Sequence, residues 1–129
     1  MVGFGIIKLE ELKEHEEVSL DHLTQIKQEI ERDGFLKNPI IVDKNTKIIL
    51  DGHHRFNSLK QLNCNKIIAY FVDYNSPKIK VQNWRKGEKV IKKDVIKAGL
   101  TGKKLPCKTS RHIISNRPLN LNIPLKDLM

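Results

Sequence analysis

The clearest indication of how this chain folds is the stretch Lys47-Ile-Ile-Leu-Asp-Gly-His-His-Arg-Phe-Asn-Ser-Leu-Lys-Gln-Leu62. Residues 47–50 read as a short strand that pairs with residues 39–43 across a polar turn. After the glycine, Phe56, Leu59 and Leu62 recur at helical spacing and predict a helix with these side chains inward. A strand that passes through a glycine into a helix favours a mixed α/β domain.

The sequence on either side continues this alternation of strands and helices. An apolar stripe over residues 20–30 predicts a helix that is capped by Ser19 or Asp21 at its start and by Gly34 at its end. The other predicted elements are strands at residues 6–9, 66–73 and 78–84, a basic helix at 90–100, a loop at 104–118 and a tail at 119–129. We therefore expect a short mixed sheet with inserted helices.

Charge is distributed unevenly along the chain. Of its 129 residues, 24 are Lys or Arg and 15 are Asp or Glu, which gives a net charge of +9. Residues 1–77 hold 10 basic and 12 acidic groups, whereas residues 78–129 hold 14 basic and 3 acidic groups. The excess predicts a face that meets an anion, which would be a nucleic acid, a membrane surface or the phosphates of a small ligand. The length suits a single domain over residues 1–129.

Several classes of protein do not fit this composition. No apolar run approaches the ~20 residues of a membrane span, and the first residues lack the pattern of a secretory signal. Cys64 and Cys107 match neither a redox nor a zinc motif and are expected to be reduced. We therefore expect a cytoplasmic protein with no membrane association, either a monomer or a homodimer.

The strongest candidate for a binding site is Asp51-Gly52-His53-His54-Arg55, between a predicted strand and a predicted helix. Gly52 lets the backbone approach a ligand, and the helix start offers unpaired N–H groups to an anion. His53, His54 and Arg55 add donors, and arginine can grip a phosphate with two hydrogen bonds. The alternative is a polar turn with a capping aspartate. Two adjacent histidines do not by themselves predict a metal.

A second candidate is the segment Pro106-Cys107-Lys108-Thr109-Ser110-Arg111-His112. Two hydroxyls beside cationic side chains are suited to hold a phosphate. The alternative is a solvated basic loop, which is common for a run of charges. Cys107 is a possible nucleophile because nearby cations would lower its pKa, but a lone cysteine beside a basic residue is more often inert.

Two further residues are candidates on weaker grounds. In His15-Glu16-Glu17 a carboxylate can deprotonate a hydroxyl, although an acidic segment that leads into a helix looks the same. Trp84, the one tryptophan, is more often a core residue than a ligand platform.

Taken in order, these motifs resemble the archaeal free serine kinases. The fold of that family is shared with the N-terminal domain of ParB chromosome-partitioning proteins and with sulfiredoxin. The matching pieces are His15-Glu16, Asp51-Gly-His-His-Arg55, Val72-Asp-Tyr74, Val81-x-x-Trp84 and Pro106-x-Lys-Thr-Ser-Arg-His112. The resemblance implies a compact ParB N-terminal or sulfiredoxin-like domain. It also implies phosphoryl transfer from ADP or ATP to the hydroxyl of free L-serine, which gives O-phospho-L-serine for cysteine synthesis.

The resemblance also assigns roles to residues. It implies catalytic roles for Glu16, Asp51 and His53, with Glu16 activating the serine hydroxyl. Mg²⁺ would bridge the phosphates, and Asp51 is its expected ligand because Mg²⁺ typically uses few carboxylates. The residues that it implies for nucleotide binding are Gly52, His53, His54, Arg55, Lys108, Thr109, Ser110, Arg111 and His112. The substrate residues that it implies are Glu16, Trp84 and His112.

The chain departs from the family pattern in two respects. Residues 85–105 replace a much larger insert, and Cys107 and Ser110 stand where proline and threonine are usual. Among the alternatives, a ParB-like nucleic-acid-binding or nucleotide-switch module without kinase activity is second, and no helix-turn-helix follows the core to support it. Sulfiredoxin needs a cysteine where His53 stands, and a nuclease needs a carboxylate cluster that is not visible.

Overall fold

The computed structural model describes residues 3–83, 89–115 and 117–129. Its strands are β1 Gly3–Lys8, β2 Phe35–Leu36, β3 Ile40–Asp43, β4 Ile49–Asp51, β5 Lys66–Val72, β6 Lys80–Asn83, β7 Ser110–Ile113 and β8 Ile123–Pro124. Its helices are α1 Leu20–Asp33, α2 His53–Gln61 and α3 Lys92–Thr101, with short 3-10 turns at Leu9–Glu11 and Leu125–Asp127. The mixed α/β class predicted from the sequence is confirmed.

The central sheet has four strands in the order β1-β5-β3-β4. Strand β3 runs parallel to β5, whereas β1 with β5 and β3 with β4 are antiparallel, so the sheet is mixed as expected. Two small antiparallel pairs, β2 with β8 and β6 with β7, lie outside it. The hairpin of β3 and β4 brings the Gly52 turn to the end of this sheet.

Apolar side chains pack on both faces of the sheet. Successive side chains of a strand point to opposite faces, and accordingly Ile40 and Val42 belong to one hydrophobic cluster while Ile41 belongs to the other. The first cluster includes Phe56 of α2, and the second includes Val95 of α3. The sheet is therefore a middle layer that fixes the start of α2.

Local capping signals account for the ends of α1. The Ser19 side chain accepts a hydrogen bond from the His22 N–H, and Gly34 closes the helix in the left-handed conformation with φ 76°. Among residues 3–83, 89–115 and 117–129, no helix has the length and apolar character needed to cross a bilayer.

Two predictions for the C-terminal part were wrong. The predicted loop at 104–118 contains β7, because residues 110–113 pair with β6 in register. The predicted tail at 119–129 belongs to the fold, because Leu128 is fully buried and its carbonyl accepts from the N–H groups of Asn65 and Lys66. In both cases the partner lies far away in sequence.

Candidate active site

The three sequence motifs meet at one cavity of about 510 Å³. Glu16, Asp51, His54, Lys108 and Arg111 all line it. The cavity is also lined by Gly52, His53, Arg55, Ser110 and His112. Thr109 is buried beside it, where its Oγ1 donates to the Pro106 carbonyl at 2.6 Å. Trp84 lies outside the described residues, so its predicted substrate role stays a prediction.

Gly52 places the start of α2 at this cavity. Its φ of 108° is left-handed, and a Cβ at this position would lie 2.4 Å from Cγ2 of Ile40. Only glycine combines that backbone conformation with so close an approach. The helix that follows has no side-chain cap, so its first N–H groups and the positive end of its dipole are available to an anion.

Asp51 is held between two arginines. Its Oδ2 accepts from Nη2 of Arg117 and lies 3.6 Å from Nη2 of Arg55. Burial by itself would raise the pKa of Asp51, but the charges of Arg55 and Arg117 hold it below the usual value. Asp51 is therefore ionised and anchors both guanidinium groups at the cavity wall.

Arg55 also braces the backbone. Its Nη1 donates to the carbonyl oxygens of Asn38 and Pro39, at 3.1 and 3.0 Å, just before β3. A guanidinium engaged in this way has fewer donors for a phosphate than the motif suggested. Arg117 was missed at the sequence level because nothing in its spacing connects it with Asp51.

The histidine pair ties α2 to the segment before α1. His53 is buried, and its Nε2 accepts the His15 N–H at 3.1 Å. His54 accepts the Ser19 N–H at 3.0 Å, and its ring lies 4.4 Å from that of His22. Burial lowers the pKa of both rings, which favours the neutral, accepting form. Among residues 3–83, 89–115 and 117–129 no group of three His, Cys, Asp or Glu side chains could hold a metal.

Backbone N–H groups of the second motif donate hydrogen bonds to the Glu16 carboxylate. The N–H of Lys108 donates to Oε2 at 3.2 Å, and those of Thr109 and Ser110 donate to Oε1 at 3.1 and 2.9 Å. Lys108 has a φ of 57°, and this left-handed turn lets consecutive N–H groups converge on one carboxylate. Burial raises the pKa of Glu16, and these hydrogen bonds partly offset the rise.

Strand β7 determines which side chains of the second motif are buried and which are exposed. Ser110 and His112 are buried, whereas Arg111 between them is exposed, as is Lys108. Nε2 of His112 lies 2.7 Å from the Tyr74 hydroxyl, and burial lowers the pKa of His112 to about 3, so its ring is neutral. Lys108 and Arg111 are therefore the exposed cationic side chains of this motif, whereas the Ser110 hydroxyl at the cavity wall is hydrogen-bonded to Glu16.

The chain is similar in sequence to several known proteins. No family model matches the chain. A ParB-like protein from Sulfolobus acidocaldarius is 40% identical over 76 residues, 59% of this chain and 38% of the relative. An ATP-dependent L-serine kinase from Staphylothermus marinus is 30% identical over 83 residues, 61% of this chain and 33% of the relative.

Solved structures agree over nearly the whole chain. A free serine kinase in complex with AMP superposes with a TM-score of 0.87 at 16% identity, covering 99% of this chain and 94% of that one. The chain has the fold of the free serine kinases. A C-terminally truncated SbnI from Staphylococcus aureus shares this serine-kinase fold, with a TM-score of 0.79 at 18% identity, covering 97% of this chain and 88% of that one. The chain spans only 33–38% of the length of the two curated relatives above.

Proposed function

We propose that this chain transfers a phosphoryl group from ATP or ADP to the hydroxyl of free L-serine, giving O-phospho-L-serine. One observation carries the proposal: the Glu16 carboxylate faces the same cavity as the open start of α2 and the cations Lys108 and Arg111. Relatives named L-serine kinases, one of them dependent on ATP and another, from Thermococcus kodakarensis, on ADP, support it.

The proposed reaction needs positioning more than covalent chemistry by the protein. The start of α2 holds the phosphates of the donor, and Lys108 and Arg111 offset the charge that develops on the transferred group. The serine Oγ forms a bond to phosphorus as the bond to the leaving nucleotide phosphate breaks. The hydroxyl proton passes to the Glu16 carboxylate, which acts as the general base.

Asp51 and His53 act indirectly in this proposal. Asp51 holds the guanidinium groups of Arg117 and Arg55 at the cavity that receives the donor phosphates, since both groups meet its Oδ2. His53 fixes the segment that carries Glu16, since it accepts the N–H of the neighbouring residue, His15. His112, which lines the cavity, is proposed to contact the amino acid substrate, and Trp84 is proposed as a substrate residue on the grounds of the sequence alone.

Magnesium fits this site only as a companion of the nucleotide. Mg²⁺ typically uses one or two carboxylates and completes its shell with phosphate oxygens and water. Asp51 is the one carboxylate beside the start of α2 among the cavity residues, so it would hold the ion together with the donor phosphates. The ion would supply neutralisation of phosphate charge.

We also propose that residues 1–129 form one domain, in which residues 85–105 take the place of a larger insert, and that it acts in the cytoplasm. The alternative of a ParB-like module without kinase activity is not favoured, because relatives named L-serine kinases match the chain and the Glu16 carboxylate lines the same cavity as the start of α2.

The test is direct detection of product. The purified chain is incubated with Mg²⁺, L-serine and either ATP or ADP, and O-phosphoserine is followed by ³¹P NMR, with L-alanine as the control that lacks the hydroxyl. We expect phosphoserine with at least one nucleotide and none with alanine. Absence of product with both nucleotides would overturn the proposal.

A further inference from the structure

His15, next to Glu16 in sequence, is fully buried and makes two side-chain hydrogen bonds. Its Nδ1 lies 2.6 Å from the Ile49 carbonyl oxygen, and its Nε2 lies 2.9 Å from Oγ of Ser110. A carbonyl only accepts, so Nδ1 carries the proton. Burial lowers the pKa of His15 to about 4, so the ring is neutral and Nε2 is an acceptor.

The Ser110 hydroxyl therefore lies between two acceptors. Its oxygen is 2.9 Å from Nε2 of His15 and 3.0 Å from Oε1 of Glu16. One hydroxyl proton can serve only one of them at a time. When Glu16 is ionised, the hydroxyl donates to the carboxylate and leaves the buried Nε2 without a donor, which is costly. When Glu16 is protonated, it can donate to Oγ, and the hydroxyl turns to His15.

We propose that His15 is a positioning residue that acts through the Ser110 hydroxyl and helps Glu16 to hold the proton it takes from the substrate. This inference rests on the proposed function for the origin of that proton. The proton leaves the substrate oxygen, and it binds Glu16. The Ser110 O–H then reorients so that its hydrogen bond runs to Nε2 of His15, while Glu16 donates to Oγ. No covalent bond of Ser110 or His15 breaks, and the Glu16, Ser110 and His15 side chains each end with a hydrogen-bond partner.

Other titratable groups surround this chain of hydrogen bonds. The rings of His53 and His112 lie 4.6 and 5.8 Å from the His15 ring, and burial lowers the pKa of both. Lys108 meets Glu16 through its backbone N–H, and Lys104 forms an ion pair with Glu14 at 3.5 Å. None of these groups is altered in the variants below, so a change in the titration of Glu16 reports on His15 and Ser110.

The first measurement uses the unmodified chain and needs no turnover. The ¹³Cδ signal of Glu16, assigned with Glu16→Gln, and the ¹⁵Nε2 signal of His15 are followed by NMR from about pH 8 to pH 4.5. We expect the His15 signal to change at the midpoint of the Glu16 titration, and this response to vanish in Ser110→Ala. A His15 signal that stays constant through the Glu16 transition, or a response that persists in Ser110→Ala, would overturn the proposal.

Two variants of His15 separate this role from simple packing. The amide of His15→Asn reaches only the position of Nδ1 and keeps the bond to Ile49, whereas that of His15→Gln reaches the position of Nε2. We expect His15→Asn to lower the Glu16 midpoint by about one pH unit, the effect of one hydrogen bond, and His15→Gln to shift it less. Equal shifts of the Glu16 midpoint in His15→Asn and His15→Gln would indicate that His15 acts by packing alone, and would contradict the proposal. So would a shift in His15→Asn that is just as large when Ser110→Ala is also present.

The rate profile separates this inference from the kinase proposal. If the chain forms phosphoserine, the acid limb of kcat moves to lower pH in His15→Asn, in step with the NMR midpoint. If no phosphoserine forms while the NMR coupling is present, the kinase proposal fails and the hydrogen-bond assignment stands. If phosphoserine forms without the coupling, the inference about His15 fails and the kinase proposal stands.

Discussion

At the scale of single residues, Gly52 is a position where a side chain is poorly tolerated. Its left-handed backbone and the closeness of Ile40 both oppose a side chain. Gly34 shares the positive φ, at 76°, but a Cβ there would meet no atom within 4 Å. The two glycines therefore separate backbone strain from steric overlap.

We expect Gly52→Ala to lower the free energy of unfolding by about 3 kcal/mol, since it adds overpacking to left-handed strain, and Gly34→Ala by about 1 kcal/mol from strain alone. Urea unfolding of both variants measures the difference. Gly52→Ala should also weaken nucleotide binding, because the start of α2 must shift away from Ile40. Equal losses of stability in the two variants would contradict the steric argument.

At the scale of elements, α3 packs closely on Ile48, the residue just before β4. A Cβ at Gly99 would lie 2.6 Å from Cδ1 and 2.7 Å from Cγ1 of Ile48. Both residues are buried in the contact between α3 and the residue before β4. The position of the helix thus depends on the absence of a side chain at residue 99.

Gly99→Ala should destabilise the fold by about 1–2 kcal/mol, even though alanine is the better helix former by about 1 kcal/mol, because the added methyl overpacks the contact. In an Ile48→Val background the loss should be smaller, since one of the opposing carbons is gone. Thermal unfolding of the two single variants and the double variant gives the coupling. Strictly additive effects would argue against a contact between the two positions.

The helices and strands also differ in how well they can be predicted from the sequence. Helix α1 was predictable because its apolar stripe, Ser19 cap and Gly34 cap are local signals. Strand β7 was not, because residues 110–113 are mostly polar and become a strand only by pairing with β6, some thirty residues earlier. A polar segment carries no sign of its distant partner.

The same limit applies to the candidate site. Glu16 and residues 51–55 could be selected by residue type, because a carboxylate, a glycine and a helix start have chemistry of their own. The grip of the Lys108 backbone on Glu16 and the ion pair of Arg117 with Asp51 could not, because both depend on tertiary folding. The hydroxyls expected to hold phosphate proved to be bonded to other protein groups.

At the scale of the whole molecule, buried neutral histidines link stability to pH. Burial lowers the pKa of His15 to about 4 and that of His112 to about 3, and it lowers the pKa of His53 well below its ordinary value. In the unfolded chain these rings take up protons near pH 6.5. The unfolded state therefore binds more protons below that pH, and stability falls as the pH falls.

We expect the free energy of unfolding to be fully maintained above about pH 6.5 and to fall below it by about 1.4 kcal/mol per pH unit for each such histidine. Glu16, whose pKa is raised by burial, offsets part of this loss. Urea midpoints at pH 7.5 and pH 5 test the slope, and His112→Gln should reduce it by about one proton. A flat profile across this window would contradict neutral burial.

Part of the uneven charge of the chain is explained by the cavity. Lys108, Arg111 and Arg117, all from the basic part, line the same cavity as Asp51 and Glu16 from the other part. The two parts of the sequence therefore contribute to one candidate phosphate site, and Glu16 is the group among these residues suited to accept a proton.

The most direct test of that claim compares Glu16→Gln with Glu17→Gln, an exposed neighbour that serves as the matched control. Phosphoserine formation and nucleotide Kd are measured on the same preparations. We predict that Glu16→Gln slows turnover by at least about 100-fold while nucleotide Kd changes by less than about 3-fold, and that Glu17→Gln leaves both unchanged. Turnover that survives in Glu16→Gln, or that is lost only in proportion to nucleotide binding, would contradict the account.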